Sequence, residues 1–216
     1  MKQILTFLLL FLSVLPLQAQ QAQEVKRTTQ TFCFPEFVEA KILQPFGRSV
    51  TARANIFYKD AGLYFLDGDT IKKAFVDRIL GVQFGDSVTF RKVTEDRMGR
   101  VIARQGYNEL VCVTVIDMAK LRSETEGGEN LPFLEIEGRT TSSFFEIDGD
   151  RFAEKNYPLK NIYFFIVRGM PVPAKESQIK TRVKPELQRA FRDAVEDRWW
   201  SWNDAESLKK LLQYLP

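Results

Sequence analysis

Twice, the chain sets two carboxylates around a glycine just after an apolar run: "YFLDGDTIKKAF" from Tyr64 to Phe75 and "FFEIDGDRFAEK" from Phe144 to Lys155. Such residues could ligate a hard cation, work as paired catalytic acids, or form a tight turn. A calcium loop places oxygen ligands at several alternate positions and closes with a bidentate Glu about twelve residues from its start. After Asp69 come Thr70, Ile71, Lys72 and Lys73, and after Asp150 come Arg151 and Phe152. No third carboxylate follows directly in the first copy, ligands are missing from the second, and both place cations close by. Glycoside hydrolysis by two acids needs them roughly 5–9 Å apart across a cleft, a role for which Asp67, Asp148 and Glu146 are the candidates. Asp-Gly between alternating apolar runs is also among the strongest hairpin signals, because the turn needs positive φ. Both stretches therefore read as turns, and no metal or cofactor is implied.

Histidine is missing altogether. That removes Ser-His-Asp and Cys-His nucleophilic catalysis, imidazole acid/base work and His-containing zinc sites. The two cysteines, Cys33 and Cys112, cannot make a four-thiolate site. In an oxidising compartment they could form a disulfide, but Cys112 sits inside apolar "LVCVTVI", so a buried free thiol is an equal expectation. The only tryptophans, Trp199, Trp200 and Trp202, cluster in "RWWSWND". Exposed aromatic faces suit a sugar-stacking platform or an interface anchor. Trp199 follows Val195 by four and Phe191 by eight, in line with a buried helical stripe. Core packing is thus the first reading of the cluster; Trp200, one step off that stripe, and Trp202 are the candidate binding residues.

The elements that would hold these residues are mostly strands. "VTARANIFY" alternates with period two, as a half-buried strand does. It is followed by "GLYFL", "TIKKAF", "RILGVQF", "SVTFRKV", "RVIARQ" and "ELVCVTVI", separated by Gly-, Asp- and Asn-rich turns. Spacing near ten residues predicts an antiparallel meander forming a barrel or sandwich over residues 49–170. Residues 119–131 read as an exposed loop, after which "PFLEIE", "SSFFEI" and "NIYFFIV" resume the strand pattern. The prolines of "RGMPVPAKESQ" cannot continue a central ladder. In "KPELQRAFRDAVEDRWW" the period becomes helical, with Pro185 in the first turn and Leu187, Phe191, Ala194 and Val195 on one face. A second helix in "NDAESLKKLLQYL" carries Leu208, Leu211, Leu212 and Leu215 on its stripe, and Asn203 with Glu206 predicts its capping box. The fold class is mainly β (α+β), with a C-terminal helical pair over residues 171–216.

The opening "MKQILTFLLLFLSVLPLQAQ" has one cation, an apolar core shorter than the ~20 residues of a membrane span, and a small residue after it. It reads as a signal peptide of residues 1–19 cleaved after Ala19, leaving 20–48 as an N-terminal segment. No cysteine directly follows the apolar core, so no lipid anchor is expected. Without Lys2 the 31 basic residues become 30 against 28 acidic, a balance that offers nothing to nucleic acid or to an anionic membrane.

The tail resembles that of exported proteins common in Bacteroidota, in which a strand ending in an "NGKAVPVK"-like run leads into two short helices. Gly169, Pro171, Val172, Pro173, Lys175, Asn203, Glu206, Leu208, Leu211, Leu212 and Tyr214 match that pattern. "NIFYKDAGLYFLDGDTIKKAFVDRILGVQFGDSVTF" is similar to the N-terminal part of the same group. The tryptophan-rich joint and "GRVIARQGYNELVCVTVIDM" depart from it. The resemblance implies an exported, mainly β module with a helical tail and supplies no catalytic residue. The expectation is a non-enzymatic binding or structural module of the cell envelope, in the periplasm or at the cell surface, with a protein or glycan partner. Carbohydrate binding, or carboxylate-dependent action on glycosides, are the alternatives.

Overall fold

The period-two alternation becomes a continuous sheet. The computed structural model describes residues 25–75, 78–124 and 156–216. The strands are β1 (Arg27–Thr28), β2 (Val38–Leu43), β3 (Ser49–Phe57), β4 (Gly62–Asp67), β5 (Thr70–Lys73), β6 (Gly81–Phe84), β7 (Val88–Lys92), β8 (Met98–Gln105), β9 (Asn108–Ile116), β10 (Tyr157–Val167) and β11 (Met170–Pro173). Between β9 and β10 lies helix α1 (Met118–Glu124); after β11 come α2 (Glu176–Lys180), α3 (Gln188–Val195) and α4 (Ala205–Lys209). Every pairing is antiparallel. The protein is mainly β, a curled half-barrel with short C-terminal helices.

The order β1-β10-β9-β8-β7-β6-β2-β3-β4-β5 makes two meanders rather than one. After β5 the chain returns to lay β6 beside β2, pairing Ile42 with Val82. β2 falls within the stretch read only as an N-terminal segment, although Val38, Ala40 and Ile42 alternate with Glu39 and Lys41. The sheet curls until Ile116 N donates to Tyr58 O at 2.8 Å and Met98 N to Ala61 O at 2.9 Å. A strap made of the first described residues ties the same end together. Its Arg27 pairs with Pro158 of β10, while Phe32 bridges Phe57 of β3.

The prolines of "MPVP" do sit in a strand, but in β11, whose only partner among the described residues is β10. An edge strand tolerates residues without a ladder N–H. Met118–Glu124, overlapping the start of the expected loop, is helical; Asp117 Oδ1 accepts from Lys120 N at 3.1 Å and Leu121 is buried. The predicted stripe of the last helix holds, since Leu208, Leu211, Leu212 and Leu215 are all buried. Its cap lies one residue later than expected. Asp204, not Asn203, accepts from Ser207 N, at 2.7 Å. The signal peptide, "PFLEIE", "SSFFEI" and the second Asp-Gly-Asp lie outside the described residues. Among the described residues no helix is long and apolar enough to cross a membrane.

Two packed clusters divide the concave face. Ala40, Ile42, Ile56, Leu63 and Val82 form the core of one wing, built on β2–β7, with Met98 at the start of β8 packed into it. Leu110, Phe165, Phe191, Leu208, Leu211 and Leu215 form the other, where the C-terminal helices cover β9 and β10.

Candidate functional site

The Asp67–Asp69 stretch is a turn. Asp67 pairs with Thr70, and Gly68 alone in it takes positive φ, +60°. Glycine at the first central position is the signature of a II′ hairpin, the mirror-image turn that matches strand twist. The Asp67 carboxylate accepts from the Lys72 ammonium on the exposed surface. Asp148 and Glu146, the other two acids considered for hydrolysis, lie outside the described residues.

The tryptophans exchange their expected places. Trp199 is 82% exposed, with the Arg198 guanidinium 5.3 Å from its ring centre. Trp200 packs against the helix cluster, and its buried indole N–H has no partner among the described residues. The physical reason is that α3 stops at Val195, so its period does not extend to Trp199. A turn closed by Trp200 N donating to Asp197 O then redirects both rings. Trp202 meets Trp200 edge-on at 5.5 Å and lines a shallow hollow of about 380 Å³ with Tyr163, Asn161 and Asn203.

Cys33 and Cys112 line one hollow, of about 200 Å³, where the two wings meet. The disulfide is not formed; both are free thiols. Cys33 shares a hydrogen bond with the Tyr58 hydroxyl, and Cys112 with Thr114 at 3.7 Å. Burial pushes both thiols above the ordinary cysteine range, outweighing the nearby Arg100 and Lys26. Burial likewise raises the Tyr58 phenol. Thiols held protonated are poor nucleophiles.

A third hollow, of about 600 Å³, lies on the open wing. Ile42, Ala52 and Phe65 form its floor, and Phe75, 93% exposed, stands at its rim. Lys72, Lys73 and Arg78 also line it, and among the described residues no carboxylate does. Lys72 and Lys73 reach Asp67 and Asp60 outside the lining. Sequence reasoning passed over this groove. The available signal was Phe75, an aromatic residue beyond the last alternating position of β5. No family model, curated protein or solved structure matches the chain. The reading of function therefore rests on these surfaces.

Proposed function

We propose that the chain is an exported, non-enzymatic binding module of the cell envelope. Its partner is a protein that lays an extended segment along β5 and the neighbouring groove. The observation that carries this is Phe75, 93% exposed over an apolar floor beside a strand with no described neighbour on its outer edge. Addition of a strand to a sheet edge gives main-chain hydrogen bonds, and side-chain hollows beside it give selectivity. Arg78, the lining cation without an ion pair among the described residues, favours a segment that alternates apolar with acidic residues. Lys72 and Lys73 also discourage a second copy of β5 from pairing there, since edge lysines block self-association. The missing histidines and the protonated thiols support a non-catalytic role.

The test is cross-linking of the tagged protein in native cell envelope, with the cross-linked positions mapped. Links from a single partner to β5 and Phe75, lost in Phe75→Ser, are the expected outcome. Links confined to the tail around Trp199 and Trp202 would remove the groove from consideration.

A second reading, carbohydrate binding, is favoured by one arrangement. Trp202 and Tyr163 line the same hollow as Asn161 and Asn203, two rings and two amides in one recess. Tryptophan fluorescence during titration with a sugar panel tests it, with Trp202→Ala as the control. A flat response would discard it.

A further inference from the structure

Arg100 stands in a row where its neighbours are not charged. Val82 pairs with Phe90, Phe90 with Arg100, Arg100 with Cys112, and Cys112 with Tyr163, across five successive strands. Directly paired residues share a face of the sheet, so this row crosses the concave side. The Arg100 side chain borders the hollow between the wings and reaches solvent there. Lys26 reaches the same hollow from the strap, held because its carbonyl accepts from Leu159 N at 2.8 Å. Among the described residues no carboxylate lines the space and neither cation forms an ion pair. Two cations facing one recess without a counter-charge repel each other, which a bound anion would relieve. Thr114 donates to Asn161 Oδ1 at 2.9 Å, so the same wall also carries neutral polar groups.

We propose that this hollow binds a small phosphate- or sulfate-type oxyanion, held by Arg100 and Lys26. A guanidinium matches two oxygens of such an anion with parallel hydrogen bonds, and an ammonium adds a point charge. At about 200 Å³ the space is several times the ~30 Å³ share of one water, so a tetrahedral anion fits. The site is separate from the groove beside β5 and stands or falls independently of it.

The experiment is calorimetric titration of the whole protein with inorganic phosphate and with sulfate, chloride holding ionic strength constant. A second readout is the rate at which N-ethylmaleimide alkylates Cys33 and Cys112, because both thiols line the hollow. Saturable binding that slows alkylation of both thiols is expected. Arg100→Met and Lys26→Met should each weaken it about tenfold or more, the scale of a lost charge-assisted hydrogen bond. Both side chains are exposed, and unchanged thermal unfolding of either variant would confirm that it still folds. Vesicles of phosphatidylcholine with or without phosphatidylglycerol form a further arm; binding only to the anionic vesicles would assign the phosphate to a lipid head group. No saturable binding in any arm, protection by chloride equal to that by phosphate, or full affinity in both variants would overturn the proposal.

Discussion

The two wings solve the same problem differently. Each has an apolar concave face that must be taken out of water. On the β9–β10 wing the chain supplies its own cover: Leu208, Leu211 and Leu215 of the tail and Phe191 of α3 are at most 2% exposed. On the β2–β5 wing the described residues leave the cover incomplete. Ile42, Ala52 and Phe65 floor a groove, while Val50 is half exposed and Phe75 almost wholly so. Their outer edges differ in the same sense. β11 ends the covered wing with Pro171 and Pro173, which lack N–H groups for a further ladder, whereas β5 carries none. One wing is finished by its own sequence, and the other is left able to take a strand from elsewhere.

Four substitutions probe that contrast. Leu211→Ala, at the centre of the covered wing, should cost roughly 2–5 kcal/mol through lost burial and a residual cavity, read from urea unfolding. A loss below about 1 kcal/mol would mean that the tail is only loosely docked. Gly81→Ala tests the interior of the open wing, where an added Cβ would lie 2.5 Å from the Phe90 carbonyl oxygen. Main chain cannot yield there without disturbing the β6–β7 ladder, so a loss of about 1–3 kcal/mol is expected by the same measurement.

Asp204→Ala removes the cap of α4 and should cost about 1 kcal/mol. Hydrogen bonding to the Ser207 main chain holds the Asp204 carboxyl below its ordinary value. A depressed folded-state value means that the contribution is complete above the unfolded carboxylate range, near pH 4. It fades as pH falls through the folded value, so wild type and variant should converge in stability in acid. Equal differences at pH 7 and well below pH 3 would contradict that linkage.

Phe75→Ala should change stability least, within about 0.5 kcal/mol, because its ring is already in water. Under the proposed strand addition, its effect falls on partner capture instead. A large loss of stability from this change would place Phe75 in the protein's own core and erase the distinction between the wings.

Much of the β architecture was legible because side-chain alternation and turn chemistry are local. Ser49–Phe57, Gly62–Asp67 and Asn108–Ile116 announce themselves by apolar runs bounded by Gly, Asp and Asn. The leucine stripe of the tail is equally local. The return that sets β6 beside β2 is not, since alternation says which face a residue occupies and nothing about its lateral neighbour. The same limit hid the hollow between the wings. Arg100 reads as an ordinary charged strand residue until its partners Phe90 and Cys112 are known. The tryptophans failed for another reason: helical spacing was carried past Val195, where the helix had already ended.

The strap also has a consequence in time. Arg27 pairs with Pro158 and its guanidinium donates to Asn156 O, partners separated by well over half the chain. Closing so long a loop is entropically costly, and contacts of this separation form late in folding. Each meander can assemble from neighbours, but the strap must wait for β10. Because Lys26 and Cys33 belong to that strap, the hollow they line has no early precursor, and a chain interrupted before Tyr157 would never possess it.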